Sequence, residues 1–321
     1  MSKIKVGIAG NTEATGIISA QVASINAYDF VGVFDSTSPD NFKNFYDIVP
    51  FTDFLKRTDA VIFAGNHHLF LYDNIIECVR MGKHIMLEKF NGMEYYDLIR
   101  LQKLLGEAGS HIYIANITGT QSAYTTYRQL VSKPVNLSAR VHIPYVNTLT
   151  PADKQNMLAE TIDMVLRSVN SPIAKVKVNK HYIFHQQPDE IKINLVFDNA
   201  CVAEIVFNLF GKNAMNTISA YQKGKIINAD LLNYKVEETR LDLKMENQLQ
   251  LYNDYNSNVT ITNKMEVFEK KILYFDAMQK DLLNFVDCIT NRVSPLVGIE
   301  EAINVAGVLQ QIQYTQHESF V

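Results

Sequence analysis

"TDAVIFAGNHHLFLYDNIIECVRMGKHIMLEKF", Thr58 to Phe90, holds the pattern that decides the fold. DAVIFAGN, from Asp59 to Asn66, is a short apolar run closing on glycine, which reads as a buried strand. Leu71, Ile75 and Val79 then recur at helical spacing, and Gly82 supplies the stop. GKHIMLEKF is a second apolar strand. Two buried strands joined by a helix make a parallel crossover unit, whose sheet needs cover on both faces.

The same alternation continues outward. KIKVGIAG, a helix through Ile18, Val22 and Ile25, and the strand DFVGVFD come before it. A helix in MEYYDLIRLQKLLGEAG and the strand HIYIAN follow it. Five strands in this order predict an N-terminal Rossmann domain, a doubly wound parallel sheet, over residues 1–117. The chain then changes character. NLSARVHIPY is extended and KQNMLAETIDMVLRSV is helical, but AKVKVNKHYIF, EIKINLVFD, CVAEIVFNLF, NTISAYQKG and KIINAD follow with no helix between them. Ile191, Ile193, Leu195 and Phe197 keep a period of two, the mark of a sheet with one wet face. Residues 118–321 are therefore expected to form a second domain on a large, mostly antiparallel open sheet. The fold class is α/β plus α+β, and two closing helices are free to return to the first domain.

Composition excludes several classes of function. The net charge of −4 and scattered basic residues give no footprint for nucleic acid or an anionic membrane. No apolar run reaches the roughly 20 residues that span a bilayer. The N-terminus enters a strand at once, leaving no room for a leader, so a cytoplasmic protein is expected. Cys78, Cys201 and Cys288 lie far apart, as buried small hydrophobes of a reducing compartment do. His67 and His68 have no carboxylate or cysteine at ligand spacing, so no metal is expected.

Open parallel sheets bind ligands at the carboxyl ends of their strands. Those ends read Gly10-Asn11-Thr12, Asp35, Gly65-Asn66, Glu88-Lys89 and Asn116. Asp35 closes the second strand 25 residues after Gly10, near the spacing at which a carboxylate accepts hydrogen bonds from an adenosine ribose. Ser36 and Thr37 bring no arginine for a 2′-phosphate, so NAD is favoured over NADP. A solvated strand-end aspartate is the plainer alternative. The phosphate loop departs from G-x-G-x-x-G, reading Gly10-x-Thr12-x-x-Thr15. Gly10 keeps the tight turn, whereas Thr12 occupies the phosphate approach and Thr15 the helix packing contact. The helix N-terminus survives both changes, with Asn11 and Thr12 available as donors, although Glu13 adds a like charge.

The Thr58–Phe90 run resembles the glucose–fructose oxidoreductase and inositol dehydrogenase family. Gly82, Lys83, His84, Glu88 and Lys89 match its Gly-Lys-His turn and Glu-Lys-Pro strand end, with Phe90 in place of proline. The resemblance extends over the whole chain, to the closing SPLVGIEEAINVAGVLQQIQ. It implies a nicotinamide cofactor and hydride transfer at a carbinol of a sugar, cyclitol or related polyol. It implies further that Lys89 hydrogen-bonds the reacting oxygen and that Glu88 lies at the cofactor. Asn66, His67 and Leu71 depart from the family's Thr-Pro and later histidine, with Asn66 still able to hydrogen-bond cofactor. A homodimer or homotetramer is expected as well, because an uncovered apolar face of the second sheet would otherwise sit in water.

The family's helix pattern of aspartate, histidine and aspartate falls on Asn156, Glu160 and Asp163. Glu160 then stands where an acid/base histidine is usual, and Lys89, Glu160 and Asp163 are the catalytic candidates. A Lys89–Glu160 pair would keep both groups ionised. Alternatively, Glu160 and Asp163 are solvated positions on an amphipathic helix. The divergent loop and helix leave a second reading open: a non-catalytic member of the fold serving as ligand sensor or protein scaffold.

Overall fold

A computed structural model describes residues 3–10, 13–34, 50–65, 71–90, 93–144, 149–241, 265–271 and 276–315. The chain divides into two compact units: residues 1–120, 148–163 and 275–316, and residues 121–147, 164–274 and 317–321.

The first unit is built on five parallel strands, β1 (Ile4–Ala9), β2 (Tyr28–Phe34), β3 (Ala60–Phe63), β4 (His84–Leu87) and β5 (Ile112–Ile114), in the order β2-β1-β3-β4-β5. All side chains of β3 are buried, as a sheet covered on both faces requires. One face packs on α1 (Glu13–Ser24) and α8 (Ala277–Thr290), through Ile18, Val22, Leu282 and Phe285. The other packs on α2 (Phe51–Lys56), α3 (Leu71–Arg80), α4 (Tyr95–Ala108) and α9 (Ile299–Tyr314), through Leu55, Ile75, Leu101 and Ala302. The sheet is therefore doubly wound. Gly109 ends α4 in the left-handed conformation at φ 65°, which glycine adopts without a Cβ clash.

β1 has β2 on one side and β3 on the other, so the strand order reverses at β1. Gly10 follows β1 at this switch point. A Cβ on Gly10 would lie 2.3 Å from the Ala64 carbonyl oxygen, so the carboxyl ends of β1 and β3 approach as closely as glycine alone permits. After β5 the chain makes the short helix α5 (Ile117–Thr120).

The second unit carries an eight-stranded sheet in the order β13-β12-β11-β10-β6-β9-β8-β7. Its strands are β6 (Asn136–Pro144), β7 (Ile173–His181), β8 (Glu190–Phe197), β9 (Val202–Gly211), β10 (Met215–Gln222), β11 (Lys225–Asp230), β12 (Lys235–Leu241) and β13 (Met265–Lys271). Every pair is antiparallel except β6 with β9. Ile193, Leu195 and Phe197 are buried on one face, as their alternation predicts. α6 (Ser122–Leu130) packs against β11 and β12, and the Tyr124 hydroxyl donates to the Met164 carbonyl at 2.7 Å.

The opposite face departs from expectation. Ser138 and Arg140 on β6, Thr217 and Ser219 on β10, Asn228 on β11 and Glu237 on β12 make it mainly polar. Alternation keeps apolar groups inward and places hydrogen-bonding groups outward, so no hydrophobic penalty demands that a second copy cover this face.

The three cysteines are buried and free. Among the described residues no helix is long and apolar enough to cross a membrane.

Candidate active site

Glu88 and Lys89 leave the carboxyl end of β4 in different directions of use. Glu88 is buried, and its Oε2 accepts the Gly65 N–H at 2.5 Å. It thereby ties the end of β3 to the end of β4 beside the switch point. Lys89 is half-buried, and its ammonium meets Asp153 Oδ1 at 3.1 Å. Asp153 lies in the first turn of α7 (Pro151–Val169), where its Oδ2 also accepts the Thr150 hydroxyl at 2.7 Å. The Thr150 hydroxyl, and after it the Lys89 ammonium, hold the Asp153 carboxyl below its ordinary range against the opposing effect of burial. Lys89 is thus held by Asp153, not by Glu160 as the sequence suggested, because the helix presents Asp153 first.

One turn further along, the Phe90 N–H donates to Asn156 Oδ1 at 2.8 Å. Asn156 Nδ2 donates in turn to Glu160 Oε1 at 3.0 Å. The other carboxyl oxygen, Glu160 Oε2, accepts the Thr118 hydroxyl at 2.5 Å from α5. Proline at position 90 would have no N–H for Asn156, so Phe90 and Asn156 form a matched pair. The amide is a required part here: an aspartate at 156 would have no donor for Glu160.

Glu160 is only 6% exposed and Asp163 only 1%, so neither is a solvated position on an amphipathic face. Asp163 Oδ2 accepts Asn116 Nδ2 at 2.5 Å, and Asn116 Oδ1 accepts the Gly119 N–H at 2.6 Å. Burial pushes the Glu160 carboxyl from 4.5 up to about 7, against the lowering effect of the Thr118 and Asn156 donors and with help from the nearby Asp281 and Asp163 carboxylates. A carboxyl in this state holds or releases a proton near neutrality, the property an acid/base group needs.

Lys89, Glu160 and Asp163 therefore converge at one end of the first unit, with Glu88 bracing the adjoining strand end. Gly10 lies at the switch point, where its amide N–H donates to the Phe34 carbonyl at 2.8 Å. Asn11, Thr12, Asp35 and Asn66, expected at a cofactor, lie outside the described residues. Asp153, Thr118 and Asn116 were not singled out from sequence as parts of a catalytic set. Asn116 could be read as a strand end, but nothing in ITGT marks Thr118. Among the described residues no group of three histidine, cysteine or acidic side chains could hold a metal ion.

A nicotinamide dinucleotide fits the part of its binding frame that is described. The β1–α1 turn retains the glycine that a Cβ would block, and the N-terminus of α1 starts beside it. Thr15, in the packing position usually held by glycine, is buried within the fold, so the larger side chain is accommodated.

No family model matches the chain, and no curated protein matches its sequence. Solved structures do match. UDP-N-acetylglucosamine 3-dehydrogenase from Acidithiobacillus ferrooxidans superposes with a TM-score of 0.79 at 15% identity, covering 97% of this chain and 96% of that one. A protein from Listeria innocua described as NAD-binding gives 0.74 at 15% identity over 98% and 97% of the two chains. An oxidoreductase from Desulfitobacterium hafniense, provisionally named as NADPH-dependent, gives 0.75 at 11% identity over 97% and 94%. At these identities the likeness establishes the fold: this chain has the two-unit architecture of such dehydrogenases from end to end.

Proposed function

We propose that this protein is a nicotinamide-dependent oxidoreductase that interconverts a carbinol and a carbonyl on a sugar, cyclitol or related polyol. The observation that carries the reading is the buried Glu160 carboxyl. It is poised near neutrality on a hydrogen-bond network that starts at Phe90, the residue after Lys89. The sugar dehydrogenase among the structural matches supports the same reaction class.

When bound, the nicotinamide supplies the two-electron chemistry by accepting or delivering hydride. Gly10, the N-terminal end of α1 and, from the sequence, Asn11, Thr12, Asp35 and Asn66 would hold the dinucleotide, with Glu88 keeping the Gly65 turn in place. Asp35 with no adjacent arginine favours NAD over NADP.

The protein's own residues handle the proton. Lys89 offers an ammonium donor to the substrate oxygen and stabilises negative charge that develops there. Asp153 keeps that ammonium oriented. Glu160 takes up the hydroxyl proton in oxidation and returns it in reduction, moving between its ionised and neutral forms. Thr118 and Asn156 donate to the ionised form, and Asn116 fixes Asp163 on the next turn of the same helix. A neutral polyol suits a site whose described charged groups are mostly carboxylates.

Calorimetric titration with NAD, NADH, NADP and NADPH tests the reading. Binding of the NAD pair at sub-millimolar concentration, tighter than that of the NADP pair, is expected. Absence of heat with all four at millimolar concentration would leave the fold without its reaction.

A further inference from the structure

We infer that Asp281, on helix α8, is a positioning residue for the Glu160 site: it holds from behind the turn that carries Thr118 and fixes a charge near Glu160. This role extends the reading of Glu160 as the proton-handling group and rests on it.

Asp281 is fully buried. Its Oδ1 accepts the Tyr113 hydroxyl at 2.6 Å, and its Oδ2 lies 3.1 Å from the Thr120 hydroxyl. The single Thr120 proton is shared with the Asn116 carbonyl, 2.9 Å away. The neighbouring Lys280 ammonium donates to the Thr120 carbonyl at 3.1 Å. Adjacent residues of one helix thus grip both the side chain and the backbone of Thr120, which ends α5. The same turn opens with Asn116, bound to Asp163, and carries Thr118, bound to Glu160. Two anchors on one side and two catalytic carboxyls on the other leave the turn little freedom.

Packing alone does not call for an acid in this place. An asparagine of the same shape would satisfy Tyr113 and Thr120 without the cost of desolvating a carboxylate. What the acid adds is charge. The charged and titratable groups around Glu160 are Asp163 on its own helix, Asp281 and Lys280 on α8, Tyr113 on β5, and Lys89 with Asp153 at the start of α7. Asp281 is the first of the carboxylates that raise the Glu160 pKa. Burial holds the Tyr113 phenol above its ordinary range, and Asp281 adds to this, so the phenol remains a donor.

The test is carboxyl carbon-13 NMR on the full-length chain labelled at glutamate, with E160Q identifying the Glu160 signal. It requires neither cofactor nor substrate. D281N should lower the Glu160 midpoint by about one pH unit, because the like charge is gone and the shape is kept. Thr120→Val keeps the charge and the volume but cuts the hydroxyl link. It should raise the midpoint as Thr118 slackens its donation. A purely structural Asp281 would leave the midpoint where it is, and an unchanged value in D281N overturns the inference. If D281N does not fold, T120V decides, and an unchanged midpoint there overturns it equally. A D281N shift together with no nicotinamide binding would retain the positioning role and discard the enzymatic reading.

Discussion

The Asn156 amide donates to Glu160 Oε1 at 3.0 Å while accepting the Phe90 N–H at 2.8 Å, so one side chain joins the end of β4 to the buried acid. A side chain that only donates loses the Phe90 contact, and one that only accepts loses the Glu160 contact. Position 90 and position 156 are therefore coupled, and each explains the departure of the other from the related pattern.

Glu160 should make stability depend on pH in a particular direction. Its carboxyl is raised from 4.5 to about 7 in the folded chain, so between these values the native state holds a proton that the unfolded state has lost. Stability contributed by Glu160 is complete below about pH 4.5, falls as pH rises through this window, and levels off above about 7. The total is on the order of 3 kcal/mol. E160Q, neutral throughout, should lose that contribution to the pH dependence. Urea unfolding of both proteins at pH 5 and pH 8 checks it, and parallel pH curves would refute it.

Lys89 separates catalysis from stability. Its pair with Asp153 is partly exposed, with side-chain exposures of 23% and 28%, so K89M should change unfolding free energy by less than about 1 kcal/mol. Turnover of a polyol substrate should fall by about a hundredfold or more, with cofactor affinity little altered. Comparable turnover in K89M would remove the lysine from the mechanism.

Gly10 is a position where a single methyl group meets backbone that cannot easily give way. A Cβ there would lie 2.3 Å from the Ala64 carbonyl oxygen and 2.8 Å from the Thr15 hydroxyl oxygen. G10A must push the ends of β1 and β3 apart, costing about 1–3 kcal/mol and weakening dinucleotide binding more than tenfold. Denaturant midpoints and calorimetry measure the two effects separately. A variant that binds as tightly as the parent would show that the turn has no role in cofactor affinity.

The parallel sheet was legible because β1, β3 and β4 are short apolar runs, each ending near a glycine or a charged residue. The second sheet was legible as far as Asp230 from period-two alternation. α6 was not, because its buried face is Ala123, Tyr124 and Tyr127, with no aliphatic stripe to mark it. α5 was missed because Ile117 to Thr120 carries glycine and β-branched residues, and is held by long-range contacts with Asp281 and Lys280. The site was half legible. Lys89, Glu160 and Asp163 could be singled out as candidates, but their wiring could not: which acid meets Lys89 depends on how α7 enters, and that is a tertiary fact. The outer face of the second sheet was expected to be apolar, but the alternation that buries Ile193, Leu195 and Phe197 leaves mainly polar side chains on the other side.

Cys78 and Cys288 lie in the first unit and Cys201 in the second, and burial raises all three thiols above their ordinary range, Cys288 to about 11. At neutral pH a folded molecule offers a thiol reagent neither access nor thiolate. Each sulfur is consequently a built-in clock for the opening of its own half. Peptide mapping after timed alkylation should show Cys78 and Cys288 modified in step when the first unit opens as a whole, and Cys201 on a schedule of its own if the halves breathe independently.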